Sequence, residues 1–267
     1  MKFAIITGAA GGLANEVINS IKNDFNIIAI DKSNKVLSLY ENDSNIFPFV
    51  CDLTDTFEIE KVKEKVLTLT NKIDLIINFA GIVILGSLVE IKPEEALKVL
   101  NVNVMSMYNT NQIFFNMLDF NSRIINVSSE YGVLDAIPFH SFYTMSKHAV
   151  EIYNDSLRRE LQFKNIKVIK IRPGAFKTNM QQNISSQFDI LVNETKLYKD
   201  PLLKMKFIMD GELKKAKNSK KIIKVFKKAI YKKHPKLSYN VGNSFKMKLL
   251  SMLPNKLQDK IFKIYFK

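Results

Sequence analysis

Six short apolar runs, separated by longer amphipathic stretches, dominate the first 175 residues of the chain. The runs are KFAIIT, NIIAID, IFPFVCD, KIDLIINFAG, RIINVSS and KVIKIRPG, which are rich in isoleucine and valine. Strands that are apolar on both faces are typical of a parallel sheet covered by helices on both sides. Amphipathic stretches such as HAVEIYNDSLRRELQF predict the crossover helices. The pattern therefore predicts a doubly wound, three-layer α/β/α fold whose strands end at one ligand-binding edge of a central parallel sheet.

The alternation of strands and helices weakens after Pro173. Residues 179–220 read as helices and loops, KKIIKVFKKAIYKK as an amphipathic helix, and the residues from Asn243 as a final segment. No linker composition and no internal repeat divides the chain, so we expect a single domain over residues 1–267.

Charge is distributed unevenly along the chain, whose formal net charge is +14. Residues 1–163 carry 14 basic and 20 acidic side chains, whereas residues 164–267 carry 26 basic and 6 acidic ones. The excess is almost entirely lysine, and arginine is the better residue for binding bases and phosphates. A lysine-rich solvated surface is therefore the simplest interpretation, and nucleic acid is not the expected partner. Contact with an anionic membrane remains an alternative.

Cys51 is the only cysteine, which excludes an internal disulfide and a cysteine metal cluster. The three histidines, His140, His148 and His234, have no metal-binding spacing, so no metal site is expected. No apolar run approaches the roughly 18 residues of a spanning helix. The start MKFAIITGAAGG is too short in its apolar part for a signal peptide, and we expect a cytoplasmic protein.

A glycine-rich turn follows the first predicted strand. Gly8, Gly12 and Ala14 have a spacing that lets the backbone approach a pyrophosphate. The helix that follows would present unpaired N–H groups and a partial positive charge to the phosphates. An ordinary tight turn is the alternative explanation.

Acidic and polar groups end the next strands. Asp31 lies about 20 residues beyond the turn, where a carboxylate can accept hydrogen bonds from an adenosine ribose. A carboxylate there would repel a 2′-phosphate and favour NAD over NADP, although the neighbouring Lys32 weakens this inference. Asp31 could instead form a turn or cap a helix. Asp52 lies at the end of the third predicted strand, and Asn78 and Gly81 lie at the end of the fourth.

Further motifs, taken together and in order, resemble those of the short-chain dehydrogenase/reductase family, over nearly the whole chain. They are TGAAGGLA, NFAG, LNVN with Asn103, NVSSEYG with Ser129, YTMSK with Tyr143 and Lys147, and RPGAFKTNM with Thr178. Because the chain is so rich in lysine, about one tyrosine is expected by chance to stand four residues before a lysine. The functional interpretation of Tyr143 and Lys147 therefore depends on the other motifs. The resemblance implies a Rossmann-type fold.

The resemblance also implies an NAD(P)-dependent oxidoreductase that acts on CH–OH groups and interconverts a secondary alcohol with a ketone or aldehyde by hydride transfer. Tyr143 would be the general acid/base. Lys147, one helical turn away, would lower the pKa of Tyr143 and bind the nicotinamide ribose. Ser129 would hydrogen-bond the substrate oxygen, and Asn103 would interrupt its helix and hold a proton-relaying water. The alternative is a non-catalytic dinucleotide-binding redox sensor or scaffold.

The expected cofactor is NAD, with NADP less favoured. The residues implied to bind it are Gly8, Gly12, Leu13, Asp31, Asp52, Leu53, Asn78, Ala80, Gly81, Tyr143, Lys147, Pro173, Gly174 and Thr178.

The chain departs from the family pattern at three places. Ala14 replaces the last glycine of the turn, and Phe79 replaces the second asparagine of the motif after the fourth strand. Ser129 and Tyr143 are 14 positions apart, one more than is usual, and the extra residue falls between Gly132 and Pro138. DSLRREL, PGAFKT and PKLSYNVGNSFKMKLLSMLP resemble the retinol and hydroxysteroid dehydrogenase branch.

Residues 176–225 are expected to close over a small-molecule alcohol or carbonyl substrate, small to hydrophobic. Their apolar side chains would line a pocket or make ordinary core contacts; they are Phe176, Met180, Phe188, Leu191, Leu202, Met205 and Phe207. The basic amphipathic tail, residues 243–267, would lie on an anionic membrane, or pack on the body or on a second subunit. The resemblance implies a homodimer or homotetramer.

Overall fold

Seven strands and eleven helices make up the computed structural model, which describes residues 1–176, 179–214 and 220–266. The strands are β1 (Lys2–Thr7), β2 (Phe25–Asp31), β3 (Ile46–Val50), β4 (Ile73–Asn78), β5 (Leu118–Val127), β6 (Lys167–Pro173) and β7 (Ser238–Val241). The helices are α1 (Gly12–Ile21), α2 (Lys35–Leu39), α3 (Thr56–Leu67), α4 (Pro93–Leu100), α5 (Ser106–Ile113), α6 (Ser141–Leu161), α7 (Asn179–Glu194), α8 (Lys199–Lys214), α9 (Lys220–Tyr231), α10 (Phe245–Leu250) and α11 (Asn255–Phe266).

All seven strands join one parallel sheet in the order β3-β2-β1-β4-β5-β6-β7. The direction of strand addition reverses between β1 and β4, which is the point where ligands bind in doubly wound sheets. The six predicted strands and the parallel doubly wound arrangement are confirmed.

The two faces of the sheet carry separate apolar cores. Ala4 and Ile6 of β1 face a cluster that includes side chains of α1 and α9, whereas Ile5 faces a cluster that includes side chains of α3 and α6. All three β1 residues are fully buried. Successive strand residues point to opposite faces, so the continuous apolar runs are explained by helices on both sides. The predicted three layers are confirmed.

The seventh strand was not predicted. β7 has only four residues, SYNV, and pairs with β6 at the end of the sheet. α9, which precedes it, was predicted from its pattern. Its buried residues Ile222, Phe226, Ala229 and Ile230 repeat at helical spacing on one face. The sheet therefore extends beyond the strands that apolar runs reveal.

A third apolar cluster lies beyond the carboxyl edge of the sheet and is called here the lid cluster. Its buried members are Val83, Leu85, Ile137, Phe139, Phe188, Val192, Leu202 and Met205. α7 and α8 supply four of them, so residues from the expected lid pack over this edge.

The C-terminal tail packs on the body through one side. The Ser244 N–H donates to Glu130 Oε2 at 2.6 Å, and Gln258 Nε2 donates to Asp135 Oδ2 at 2.6 Å. Met247 and Phe266 pack against the lid cluster. Of the alternatives left open by the sequence, packing on the body is therefore present. None of the helices within the described ranges is long and apolar enough to span a membrane.

Candidate active site

The glycine turn between β1 and α1 depends on Gly8. Its φ of +64° lies in the left-handed region, and a Cβ there would sit 2.8 Å from the backbone nitrogen of Ala80. Only glycine fits both constraints. α1 begins at Gly12 and has no side-chain cap, so its first N–H groups, including that of Leu13, lack an intrahelical partner. The turn therefore places a positive helix end at the switch point of the sheet.

Asp31 supports this turn from the end of β2. Its carboxylate accepts hydrogen bonds from the Ala10 N–H at 3.0 Å and from the Ser33 N–H at 2.8 Å. The structural role that the sequence left open is thus present. It does not conflict with ribose binding, because each carboxylate oxygen can accept more than one hydrogen bond.

Lys32, the residue after Asp31, pairs with Asp52 beyond the end of β3. The two charges are 2.5 Å apart. Partial burial opposes ionisation of Asp52, but hydrogen bonds from Lys32 and Thr54 outweigh it and lower the pKa of the carboxyl. Leu53 beside it is buried, and its carbonyl accepts from Asn109 Nδ2 at 3.2 Å. The cation that weakened the inference of NAD over NADP is therefore engaged in an ion pair, although its side chain stays exposed to solvent.

Asn78 at the end of β4 is buried and directed into the protein. Its Nδ2 donates to Asn111 and Asn126, both at 2.9 Å. Its Oδ1 accepts from the Thr7 hydroxyl at 3.5 Å. The side chain thus joins β1, β4 and β5 beneath the edge where a cofactor was expected.

The turn after β4 is tightly packed. The Ala80 N–H donates to the Thr7 hydroxyl at 3.3 Å, and Phe79 stacks on Phe226 of α9 with ring centroids 4.9 Å apart. A Cβ on Gly81 would lie 3.2 Å from Asn103 Oδ1 and 3.6 Å from Lys147 Nζ. Gly81 therefore lets two of the predicted catalytic residues approach the same turn.

Asn103 sits in a π-helical turn, residues Asn101–Met105, between α4 and α5. π-turns inside helices are frequent at functional sites, and the predicted helix interruption is present. The side chain is fully buried, accepts from the Ile82 N–H at 2.7 Å, and donates to the Ile82 carbonyl and the Ser146 hydroxyl, both at 2.9 Å. These bonds occupy the amide with protein groups, so it ties the turn after β4 to α6.

Tyr143 lies in the first turn of α6 and is partly buried. The pKa of its phenol is raised, mainly because the group is buried. A hydrogen bond with Ser129 lowers this pKa, whereas the negative charge of Glu130 raises it further. The expected lowering of this pKa is therefore not found, because desolvation outweighs the hydrogen bond from Ser129. Ser129 and Tyr143 are nevertheless brought together, as the motifs predict.

Lys147 lies one turn further along α6 and is buried. Its Nζ is 5.8 Å from the centre of the Tyr143 ring and donates to the Val127 carbonyl at 3.3 Å. Desolvation lowers the pKa of this ammonium to about 8, against the opposing charge of Glu151. The lysine therefore lies beside the tyrosine and changes protonation near neutral pH.

Glu151 is a site residue that the motifs did not reveal. It is buried on the same face of α6 as Tyr143 and Lys147, at four-residue intervals. Its carboxylate binds Arg172 of β6 through two bonds of 2.8 and 2.6 Å, and Lys170 at 2.8 Å. The spacing from Lys147 was the available signal, but its partners on β6 could not be predicted from local sequence.

The loop after β6 reaches the same edge. Pro173 ends the strand, and the Gly174 N–H donates to the Val241 carbonyl at 2.9 Å. A Cβ on Gly174 would approach the Gly242 carbonyl oxygen to 2.5 Å, so glycine is required by space. Thr178, predicted to bind the nicotinamide carboxamide, lies outside the described residues.

The lid cluster covers Tyr143 on its apolar side. Tyr131 packs edge-on against Tyr143 and stacks on His140, with centroids 5.6 and 5.5 Å apart. Burial lowers the pKa of His140 to about 4, so this ring is neutral at physiological pH. Phe188 of α7 packs on His140 in a tilted arrangement, with ring centroids 5.9 Å apart.

The expected pocket residues have different fates. Phe188, Leu202 and Met205 are buried in the lid cluster, and Leu191 packs against it. Phe176 belongs instead to the core on the α1 and α9 side of the sheet. The prediction was wrong for Phe207, which neither lines the expected substrate pocket nor joins a core, because its side chain is 82% exposed on the outer side of α8. The side chain of Met180 lies outside the described residues.

The longer catalytic loop is used for contacts within the protein. The Leu134 carbonyl lies 2.9 Å from His148 Nε2, and the Asp135 N–H donates to the Ser251 hydroxyl at 3.1 Å. The extra residue between Gly132 and Pro138 therefore falls where the tail docks.

Comparison with known proteins agrees with this geometry. Residues 2–189 match the short chain dehydrogenase family. A 3-ketodihydrosphingosine reductase from Bacteroides thetaiotaomicron is 27% identical over 98% of this chain and 97% of that protein. A short chain dehydrogenase/reductase from Burkholderia phymatum, in complex with NAD, has a TM-score of 0.78 at 18% identity, over 97% of this chain and 95% of that one. ElxO with NADP bound has a TM-score of 0.69 at 21% identity, over 91% of this chain and 98% of that one. The chain belongs to the short-chain dehydrogenase family of oxidoreductases.

Proposed function

We propose that this protein is an NAD(P)-dependent oxidoreductase that interconverts a secondary alcohol and a ketone or aldehyde, with Tyr143 as its general acid/base. The observation that carries the proposal is the meeting of Ser129, Tyr143 and Lys147 at the carboxyl edge of the sheet, next to the turn after β4 that packs on Gly8. A dinucleotide-binding scaffold would need the turn but not these three residues. The alternative of a non-catalytic redox sensor is therefore less well supported.

The chemistry needs a hydride and a proton to move together. When bound, the nicotinamide ring supplies or accepts the hydride. In ketone reduction, the Tyr143 phenol would donate its proton to the carbonyl oxygen of the substrate and become a phenolate. Ser129 holds that oxygen by a hydrogen bond, and the Lys147 ammonium beside the ring stabilises the resulting phenolate. In alcohol oxidation the same proton returns to Tyr143.

The residues present fit a nicotinamide dinucleotide. The uncapped start of α1 at Gly12 and Leu13 would hold the pyrophosphate, and Asp31 the adenosine ribose. The other residues proposed to line the cofactor are Gly8, Asp52, Leu53, Asn78, Ala80, Gly81, Tyr143, Lys147, Pro173, Gly174 and Thr178. For Asn78 the contribution would be made by the backbone, because its amide is bound inside the protein.

NAD is the favoured cofactor within this proposal. The Asp31 carboxylate would repel a 2′-phosphate, and Lys32, the adjacent cation, is held by Asp52. The likeness to one structure with NAD and to another with NADP is compatible with either cofactor, so the preference for NAD depends on these charges.

The substrate is proposed to have an apolar body. Tyr143 is flanked by Tyr131 and the lid cluster, and the neutral His140 adds no charge. The relative from Bacteroides thetaiotaomicron is named a 3-ketodihydrosphingosine reductase, and reduction of a ketone with an apolar body would fit this surface. A panel of ketones with increasing chain length, assayed with NADH, should show kcat/KM rising with length, and a preference for short polar ketones would contradict the assignment.

Asn103 is proposed as a positioning residue rather than as a holder of water through its amide. It fixes the turn carrying Ile82 against α6, next to Lys147.

A homodimer or homotetramer is proposed as well, through the helices beside the active site. Met145 and Ile152 of α6 expose their side chains there, so Ile152→Lys should reduce the mass measured by light scattering.

The test of the catalytic assignment is Tyr143→Phe. This variant should bind NADH with unchanged affinity and lose at least about 100-fold in turnover, because the ring stays and the proton donor is lost. Turnover equal to the wild type would remove Tyr143 from its role. Nucleotide binding without turnover of any ketone or alcohol in the wild type would favour the sensor.

A further inference from the structure

The outer sides of α8, α10 and α11 expose large apolar side chains next to the lid cluster. Phe207 is 82% exposed and Phe245 is 77% exposed. The members of this surface, called here the outer face, are Leu203, Phe207, Ile208, Phe245, Leu249, Met252, Ile264 and Tyr265. Isolated exposed apolar residues are ordinary, but a set carried by three helices that all pack on the lid cluster indicates an interaction site.

The inner sides of the same helices are already satisfied by packing. Leu202 and Met205 of α8 are buried in the lid cluster, and Met247 and Phe266 of the tail pack against it. Leu203, Phe207, Ile208 and Tyr265 line an open groove of about 400 Å³ between α8 and α11. The outer face is therefore a second apolar side, left without a partner within the described chain.

Positive charge surrounds these apolar residues. Segments 199–211 and 243–266 contain eight lysines and three aspartates, a net charge of +5. The lysines are Lys199, Lys204, Lys206, Lys246, Lys248, Lys256, Lys260 and Lys263. Within the described part of the chain, Lys206 alone among them forms an ion pair, with Asp189. Most of this charge is therefore available to an external anion.

We propose that the outer face docks on the surface of an anionic lipid bilayer. Phenylalanine and leucine side chains would enter the boundary between headgroups and acyl chains, while the lysine stems extend to the phosphates. Each lysine near an anionic leaflet adds attraction, and the effect disappears beyond a Debye length. Apolar residues interleaved with unpaired lysines match both properties of such a surface.

A second copy of this chain is a poorer occupant. A twofold interface would place the same patch on both sides, so two surfaces of net charge +5 would face each other. A polyanion such as RNA would satisfy the charge but not the exposed apolar side chains, and this surface has no arginine for phosphate forks. The bilayer satisfies charge and apolar surface at once.

Docking has a consequence for substrate delivery that rests on the proposed function. The helices that would lie on the bilayer also cover the lid cluster beside Tyr143. An amphiphilic ketone dissolved in the membrane would then be concentrated next to the site, whereas docking itself requires no catalysis.

The test is flotation of the full chain with vesicles. Vesicles of phosphatidylcholine with about 30 mol% phosphatidylglycerol should bind the protein at low salt, and pure phosphatidylcholine should bind it weakly. Raising the salt to about 0.5 M should release most of it, because screening removes the lysine contribution. Absence of binding to the anionic vesicles at low salt would overturn the proposal.

Paired variants locate the surface. Phe207→Ser with Phe245→Ser should lower the vesicle partition coefficient at least about tenfold, because both side chains lose their burial in the membrane. Phe163→Ser is the matched control, since Phe163 is also 82% exposed but follows α6 outside the outer face. It should bind like the wild type.

Other outcomes separate the alternatives. All three proteins should have the same circular dichroism, melting temperature and NADH affinity, so lost docking is distinguished from misfolding and from failure of the proposed function. Equal vesicle binding by the double variant and the wild type would assign docking elsewhere. A smaller mass of the double variant by light scattering, without vesicle binding by the wild type, would make the face a subunit interface. Salt-sensitive binding to RNA without vesicle binding would assign it to a polyanion.

Discussion

Replacing Glu151 with glutamine should destabilise the protein and alter the protonation of Lys147. The substitution keeps the size of the side chain but removes its charge. Arg172 would lose both charged bonds to the carboxylate, of 2.8 and 2.6 Å, and would keep a 3.3 Å contact with Asn240. Lys170 would retain Asp155 at 2.8 Å. Arg172, a largely buried cation, is therefore left without a bound carboxylate.

The magnitude follows from this loss. Breaking a buried ion pair by removing one partner costs about 3–5 kcal/mol, because the other charge stays desolvated. Glutamine retains an acceptor oxygen, so the expected loss is about 2–3 kcal/mol. For a chain of this size that corresponds to a fall in Tm of about 4–12 °C. The chain has no tryptophan, so unfolding is best followed by circular dichroism.

The effect on Lys147 separates an electrostatic role from a structural one. The Glu151 charge raises the pKa of Lys147 against burial, and the resulting pKa is about 8. Removing the charge should lower it further, so the matching limb of the pH–rate profile should move to lower pH. Asp155→Asn is the control. Its carboxylate is partly exposed and shares Lys170 with Glu151, so about 0–1 kcal/mol should be lost and the pH profile should stay in place. An E151Q protein with wild-type Tm and an unmoved pH profile would refute this reasoning.

Three further predictions test separate parts of the site. Gly8→Ala should weaken NADH binding at least about tenfold in a fluorescence titration, because the added Cβ would lie 2.8 Å from the Ala80 nitrogen. Wild-type affinity in this variant would contradict the role of the turn in binding the cofactor. Asp31→Ala should reduce the preference for NADH over NADPH, measured as the ratio of Kd values, and an unchanged ratio would remove Asp31 from cofactor choice. Ketone reduction should fall as pH rises above about 8, because Lys147 then loses its proton. Alcohol oxidation should instead rise with pH, because it needs the Tyr143 phenolate and burial raises the pKa of that phenol. Initial rates measured from about pH 6 to about pH 10 would show both effects.

The layout of the sheet could be predicted because each strand carries its own signal. β1 to β6 are continuous apolar runs, since helices cover both faces of the sheet. β7 has four residues and alternating burial at the end of the sheet, so no run identifies it. Its place is set by pairing with β6, which is a tertiary contact.

In the site, too, residues with a local sequence signal could be predicted, whereas contacts between distant parts of the chain could not. Tyr143 and Lys147 are predictable because helical spacing alone places them on one face. Glu151 lies at the next equivalent position, but its importance depends on Lys170 and Arg172, which arrive from another strand. The pKa of Tyr143 was predicted to fall and is raised, since burial is a property of the whole fold and not of the spacing.

The lid was the least predictable region. Phe188 and Phe207 look alike in the sequence, yet the first is fully buried against His140 and the second is almost free of contacts. Which side of α8 faces inward is decided by packing against the lid cluster. Apolar residues on both sides of a helix leave that choice open in the sequence.

The measurement that tests the central claim most directly is turnover by Tyr143→Phe, with NADH binding measured on the same preparation. NADH binding should match the wild type, while reduction of an apolar ketone should fall at least about 100-fold. Wild-type turnover by this variant, with its binding intact, would contradict the assignment of Tyr143 as the general acid/base.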